Sequence, residues 1–467
     1  MKTIHIDVAV IGAGTAGLAA YRAAKAGGAS AIVIEGGPYG TTCARVGCMP
    51  SKLLIAAAEA AHHASHADMF GVHVDGEVRI DGREVMARVK SERDRFVGFV
   101  VRSVDGIPAE DKLRGYARFI DNTTLQVDEH TLVQAKRVVI ATGSSPVIPP
   151  PFQAFGDRLI INDDVFDWED LPQSVAVFGP GVIGLELGQA LSRLGVKVKV
   201  FGARGGVGPL SDPAVRDYAR QALGNEFYLD PDAKVLEMAN DGDAARIRYV
   251  SLDGAEVEER FDYVLAATGR APNVRGLGLE NTSVLLDARG VPMFDPETLL
   301  CVGAPVFIAG DANDILPLLH EAADEGATAG GNAASYPQLT AGLRRSPIAV
   351  VFSDPQMMMV GRRFADLADE GFVAGEVSFE DQGRSRVMGI NKGLLHVYAD
   401  KETGRFLGAE MIGPRAENLA HLLAWSHQQQ LTVAQMLQMP FYHPVIEEGL
   451  RTALRDAKAK LDAIALA

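Results

Sequence analysis

The 467-residue sequence predicts an α/β protein with two parallel-sheet units followed by a C-terminal α+β domain. Three observations predict it. A buried strand turns through Gly12-Ala13-Gly14-Thr15-Ala16-Gly17 into a helix. The same arrangement recurs at Gly179-Pro180-Gly181-Val182-Ile183-Gly184, and from Ser346 onward strands and helices mix with no such turn. With 47% hydrophobic and 22% charged residues, the chain is long enough for about three domains. Its net charge of -15 argues against nucleic acid as the main partner, because phosphate binding needs clustered positive charge. No run of about 18 uncharged apolar residues is present, so no membrane span is expected. Asp7 and the glycines after it interrupt any signal-peptide core, and three cysteines in so long a chain fit a reducing, cytoplasmic setting.

The first unit opens with a strand from Ile4 to Ile11 and a helix from Leu18 to Ala26. Between them, Gly12 permits the tight turn, Gly14 lets backbone approach a pyrophosphate at the helix N-terminus, and Gly17 lets helix and strand pack closely. A second strand, from Ala31 to Ile34, ends at Glu35, which is placed to accept hydrogen bonds from an adenosine ribose. Strand, glycines, helix and terminal acid together read as a Rossmann-like nucleotide-binding domain.

Thr42 to Lys52 comes next, carrying Cys43 and Cys48, and runs into an alanine-rich helix. Positions five apart in an ideal helix have Cα atoms about 8.6 Å apart, whereas a disulfide needs less than about 7 Å. A bridge therefore requires a bend between the cysteines, for which Gly47 supplies freedom and Pro50 an acceptable helix start. We read a redox-active disulfide. The spacing alone leaves a structural bridge or two separate thiols equally open, and it is wider than metal-ligand pairs, so no metal site is expected.

Beyond it lie surface segments and a long amphipathic helix, 81 to 101, with Val85, Val89, Phe96 and Val100 as its stripe. A strand from Lys136 to Ile140 ends in Ala141-Thr142-Gly143-Ser144, and a proline-rich linker at 146 to 151 marks a boundary. The second unit runs from a strand at 174 to 178, through its fingerprint and a helix to Leu194, into a strand at 196 to 201. Glu35 lies 35−12 = 23 positions past the first glycine, so its equivalent is 179+23 = 202, which is Gly202. A carboxylate there would favour a free 2′-hydroxyl. Its absence, with Lys199 and Arg204 nearby, leaves NADP as open as NAD. A strand from Tyr263 to Ala267 ends in Thr268-Gly269-Arg270, and another closes at Gly310-Asp311, where Asp311 suits either a sugar alcohol or a helix cap. In the C-terminal third, strands are expected at 348 to 352, 394 to 399 and 406 to 412, with helices at 415 to 430 and 433 to 438. There His443-Pro444 is followed by Glu447-Glu448, an arrangement in which an acid can set the tautomer of a histidine base.

In this combination the sequence resembles the pyridine nucleotide-disulfide oxidoreductases, most closely the dihydrolipoamide dehydrogenases. The resemblance rests on the first fingerprint with Glu35, the CxxxxCxPSK stretch, Ala141-Thr142-Gly143, the second fingerprint with Glu186, ATGRAPN at 267 to 273, Gly310-Asp311, and His443-Pro444 with Glu448. It implies an FAD domain (1–150), an NAD(P) domain (151–272), a central domain completing the FAD site (273–345) and a dimer-interface domain (346–467) in a homodimer. It further implies that Cys48 faces the flavin and Cys43 meets the substrate. Lys52 would pair with Glu186 beside the flavin, Asp311 would bind the flavin side chain, and His443, oriented by Glu448, would be the base supplied by the second subunit. The implied nucleotide contacts are Gly12, Gly14, Gly17, Glu35, Lys52, Thr142, Gly143 and Asp311 for FAD, with Gly179, Gly181, Gly184, Arg204, Gly269 and Arg270 on the NAD(P) side. The implied reaction is oxidation of dihydrolipoamide, or of a lipoyl-bearing protein, by NAD(P)+.

Two alternatives stand beside it: an NADPH-dependent reductase like glutathione reductase, and a flavin-bound redox sensor or complex scaffold. A mercuric reductase would require a cysteine pair near the C-terminus, and the last cysteine is Cys301. A flavin transhydrogenase is disfavoured by the intact cysteine pair.

Overall fold

In a computed structural model that describes residues 2–466, the chain forms two compact units. One comprises Met1–Pro50, Lys90–Val147 and Arg270–Arg344; the other comprises Ser51–Val89, Ile148–Gly269 and Arg345–Ala467.

In the first unit, strands Lys112–Arg114, Ala31–Glu35, Lys2–Ile11, Thr131–Ile140 and Val306–Ile308 lie parallel in that order. Antiparallel strands Thr124–Val127 and Ala117–Phe119 extend the sheet from the first half of Thr131–Ile140. Val8, Val10, Val33 and Val139 are buried on one face, and Ala9, Ile32 and Val138 on the other. A sheet covered on both faces explains why these strands are continuous apolar runs. The register aligns Ile11 with both Ile34 and Ile140, and Ile140 with Ile308. All four strands therefore end on one edge, where ligands of open α/β sheets bind.

The fingerprint helix is Thr15–Ala26, starting a turn earlier than expected. It packs on Leu319–Ser335 at backbone contact distance: a Cβ on Gly326 would lie 2.2 Å from the Ala16 carbonyl oxygen, and one on Gly330 would lie 2.1 Å from that of Ala20. The sequence did not announce Leu319–Ser335, whose buried residues mix alanine and glycine with Glu321, Glu325 and Asn332.

The second unit holds a parallel sheet in the order Tyr228–Asp230, Lys197–Phe201, Ser174–Phe178, Tyr263–Ala266, Leu159–Ile160. An antiparallel meander, Lys234–Asn240, Ala245–Val250 and Glu256–Phe261, shares an aromatic core with it. The C-terminal domain is a five-stranded antiparallel sheet in the order Ile348–Val351, Gln356–Gly361, Phe406–Gly413, Leu394–Asp400, Phe372–Ser378. Helices Ala416–Gln428 and Glu447–Ala465 supply Leu419, Leu423, Leu450 and Leu454 to its core. The expected strands and helices are present with ends shifted by a residue or two. Strands Gln356–Gly361 and Phe372–Ser378 and the long terminal helix come in addition.

Within this unit a buried polar knot ties the segment before helix Pro213–Gly224 to the antiparallel sheet. Glu410 accepts from the Ser211 and Asp212 amides at 2.6 and 2.8 Å, and Asp212 accepts from His396 and Tyr398 at 2.7 and 3.0 Å. Burial pushes the Asp212 carboxyl up, yet the hydrogen bonds from His396 and Tyr398 hold it below its ordinary value. Among the described residues no helix is long and apolar enough to cross a membrane.

Candidate active site

The chain bends between the cysteines as the geometry demands. Helix Thr42–Val46 stops at Gly47 and a new helix, Cys48–Ser65, begins at the second cysteine. At Gly47 the backbone folds onto itself: a Cβ there would meet the Thr42 carbonyl oxygen at 3.1 Å and the Cys43 Cα at 3.2 Å. Cys43 and Cys48 form a close pair, the first half-buried and the second exposed. The third cysteine is of another kind: burial pushes the Cys301 thiol up to about 12, which keeps it protonated and inert at neutral pH.

One turn along the same helix, Lys52 extends its ammonium to Glu186 Oε2 at 2.7 Å and lies 4.6 Å from the centre of the Phe352 ring. Glu186, on the second fingerprint helix Val182–Arg193, is only 4% exposed; its other oxygen accepts from the Phe352 amide at 2.9 Å. Both carboxylate oxygens thus have partners, which a buried carboxylate requires. Glu186→Gln keeps the amide contact and loses the ionic one. With Lys52 one-third exposed, the expected cost is about 1–2 kcal/mol, measured as the shift in denaturation midpoint.

His443 and Glu448 meet: Nδ1 lies 2.9 Å from Oε2 and 3.1 Å from Oε1. Glu448 also accepts from the Val445 amide and from Arg451 at 3.0 Å. The hydrogen bond from His443 is the main cause that holds the Glu448 carboxyl below its ordinary value. An ionised carboxylate only accepts, so Nδ1 is the donor in this contact. The histidine side chain is 82% exposed.

The two glycine turns have the same construction. Gly12 closes on the Ala141 carbonyl oxygen, 2.3 Å from an imagined Cβ, and Gly179 does the same on Ala267 at 2.2 Å. Gly17 and Gly184 abut the carbonyls of Gly12 and Gly179 at 1.8 and 1.9 Å, whereas Gly14 and Gly181 face open space. Each turn therefore offers one bare backbone position at a helix N-terminus, which fits a dinucleotide pyrophosphate. Gly17→Ala has no room, and we expect it to cost about 1–3 kcal/mol and most of the bound flavin, read from thermal denaturation and the flavin-to-protein absorbance ratio.

Glu35 accepts from the Ala13 amide through Oε2 and from the Gly37 amide through Oε1, each at 2.7 Å. Asp311 accepts from Ser144 Oγ at 2.7 Å. Arg270, expected at the nucleotide, donates to Ser144 Oγ and to the Ser144 carbonyl oxygen at 2.9 and 2.6 Å, fastening the Ser144–Pro146/Arg270–Pro272 ribbon. Thr142 Oγ1 donates to the Asn273 carbonyl oxygen at 2.8 Å. Gly143 and Gly269 have left-handed backbones with open space at the Cβ position. Sequence reasoning missed Glu325, which accepts from the Gly310 amide and Asn313 Nδ2 at 2.7 Å and from Arg344 at 2.6 Å, ordering the turn that carries Asp311. A buried acid 15 residues beyond Gly310 has no local signature. Lys199 bonds Glu259 at 3.0 Å and Tyr249 at 2.5 Å, which takes it away from any nucleotide phosphate.

Two family models match this chain: that of pyridine nucleotide-disulphide oxidoreductases over residues 6–326, and that of their dimerisation domain over 348–454. The chain belongs to this family. Members use FAD and NAD(P), so the protein is a flavoprotein disulfide oxidoreductase by descent. It is 31% identical to a dihydrolipoyl dehydrogenase of Haloferax volcanii over 97% of this chain and 96% of that one. It is also 31% identical to a mercuric reductase of Shigella flexneri over 96% of this chain and 80% of that one. Among solved structures, RclA of Escherichia coli, a flavoprotein disulfide reductase, aligns with a TM-score of 0.81 at 21% identity over 98% of this chain and 99% of that one. LpdA of Mycobacterium tuberculosis does so with 0.81 at 23% over 97% and 99%. These structural likenesses speak for the fold.

Proposed function

We propose that the chain oxidises a small dithiol, dihydrolipoamide or a lipoyl-bearing protein, with NAD(P)+, through FAD and a Cys43–Cys48 disulfide. The observation that carries the reading is the close cysteine pair folded across Gly47. Domains 1–150, 151–272, 273–345 and 346–467 would take the FAD, NAD(P), central and dimer-interface roles. As a homodimer in the cytoplasm, each chain would lend His443 to its partner.

His443 Nε2 takes the proton of one substrate thiol. The thiolate attacks Cys43 Sγ, the Cys43–Cys48 bond opens, and the electron pair stays on Cys48. The second substrate thiol loses its proton and displaces Cys43, leaving substrate disulfide and a Cys43/Cys48 dithiol. Two electrons and two protons have then passed from substrate to protein and solvent. Lys52, fixed by Glu186, holds a positive charge one turn from Cys48, and Asp311, Glu35 and the first glycine turn would grip the FAD. Bound FAD supplies two-electron transfer between the dithiol and the nicotinamide.

Dihydrolipoamide with NAD+ or NADP+, and oxidised glutathione with NADPH, test the reading on FAD-loaded protein. Reactive thiols counted in denaturant should rise from one per chain (Cys301) to three upon two-electron reduction. No turnover together with an unchanged thiol count would sink it. A second reading, NADPH-driven reduction of a disulfide, draws on Gly202. A sensor or scaffold has no use for the mounted base at His443.

A further inference from the structure

Glu448 gathers more donors than the orientation of one histidine requires. Its Oε2 accepts from His443 Nδ1 at 2.9 Å and from the Val445 amide at 3.3 Å. Its Oε1 lies 3.1 Å from the same Nδ1 and accepts from Arg451 Nη2 at 3.0 Å. Arg451 is three residues further along helix Glu447–Ala465, on the same face as Glu448. The arginine is steadied in turn: its guanidinium carbon lies 5.7 Å from the centre of the Phe441 ring, and Phe441 packs on the core of the antiparallel sheet.

The segment 437–446, which carries His443, is also fastened by Gln382, whose Nε2 donates to the Val445 carbonyl oxygen at 2.7 Å. The neighbouring elements bring few charges to it. The start of helix Glu447–Ala465 brings Glu447, Glu448 and Arg451, and helix Val433–Met436 brings none. Helix Gly383–Val387 brings Arg384 and Arg386, the latter paired with Asp381 at 3.2 Å. Arg451 is the cation bonded to the acid that faces the base.

We propose that Arg451 is a positioning residue for the base: acting through Glu448, it fixes the acid in place and opposes protonation of His443. The proposal rests on the dithiol reading above, in which His443 takes the substrate proton. A carboxylate left to a histidine alone favours the imidazolium, and a base already protonated accepts nothing. A guanidinium stays charged at every working pH, so Arg451 offsets part of the field of Glu448 and disfavours a second cation on the same oxygen. The Glu448 carboxyl is held below its ordinary value chiefly by the His443 hydrogen bond and further by the charge of Arg451. It therefore stays ionised while the imidazole titrates.

Two measurements on FAD-loaded protein test this. In Arg451→Met, the acid limb of kcat/KM for dihydrolipoamide should move up by about half a pH unit, the scale of one charge at an exposed pair. Turnover then falls about threefold on the acid side of the limb and changes little on its alkaline side. The imidazole resonance of His443 in 13C-histidine-labelled protein, assigned by its loss in His443→Ala, should show the same rise with no thiol present. Arg451→Lys keeps the charge and should return most of the shift. In a Glu448→Gln background, Arg451→Met should move the titration by less than half as much, because the effect runs through the acid. Flavin content and thermal midpoint report the fold, and Arg451→Gln carries the same expectation if Arg451→Met does not fold. An unmoved or lowered His443 titration without Arg451, or an equal rise in the Glu448→Gln background, overturns the proposal. The resonance is read without substrate. Absence of dihydrolipoamide turnover would therefore count against the dithiol reading alone, and an unmoved titration would leave that reading standing.

Discussion

Cys43→Ser and Cys48→Ser are each expected to lower dithiol turnover by roughly four orders of magnitude or more, the scale seen when a nucleophile is removed from a concerted set. A serine oxygen cannot form or exchange a disulfide, so the two-electron couple disappears with either sulfur. The fold should survive. Cys48 is exposed and Cys43 half-buried, and the bend between them is fixed by Gly47 and by the Thr41 side chain, which caps the first helix through the Ala44 amide at 3.3 Å. Steady-state assays would thus fall to background, while flavin content and thermal midpoint stay close to those of the unmodified protein. Substantial turnover in either variant would remove the disulfide from the mechanism.

His443→Ala comes next, with an expected loss of about 10²- to 10⁴-fold in dithiol turnover, the usual worth of a positioned general base. The thiol count on reduction should still go from one to three. A base acts on the substrate proton and leaves the redox pair intact. Glu448→Ala should move turnover in the same direction by less, because the imidazole remains but loses its orientation. The pH dependence is set by the direction of the Glu448 shift. A carboxyl held below its unfolded value contributes stability above the ordinary carboxylate range, near pH 4.3. That contribution disappears as pH falls through the lower folded value. The His443–Glu448 contact should therefore persist through mildly acidic pH and weaken only in stronger acid, read as the thermal midpoint across pH. Unchanged turnover in His443→Ala would end its role.

Much of this architecture was legible because backbone sterics write themselves into single residues. Gly12, Gly17, Gly179 and Gly184 each sit where a Cβ would strike a carbonyl, so their pattern shows in the sequence. The helix break at Gly47 followed from the reach of a disulfide. Other features depend on neighbours distant in the chain. Lys199 looks like a phosphate ligand until Glu259, 60 residues on, occupies it, and Gly202 looks like a simple lost acid until Pro231 fills its space. Helix Leu319–Ser335 escaped notice because its buried face mixes alanine and glycine, which allow close approach, with the polar Glu321, Glu325 and Asn332. Strand Gln356–Gly361 escaped because Met357 and Met358 are both buried, so the run does not alternate. Glu325 needed the fold to bring it to Gly310.

The parallel pairing of Val306–Ile308 with Val138–Ile140 has a consequence during synthesis. These partners are 306−138 = 168 residues apart. At about 5–20 residues per second, a ribosome needs roughly 10–30 s to supply the strand that completes the first sheet. Throughout that interval the carboxyl end of Thr131–Ile140 is an open strand edge, and an open edge invites pairing with other chains. The Ser174–Phe178 sheet obtains its own last strand, Tyr263–Ala266, earlier. The nascent protein should thus finish its second nucleotide sheet before its first, and stalling between residues 270 and 306 should leave it most prone to aggregate.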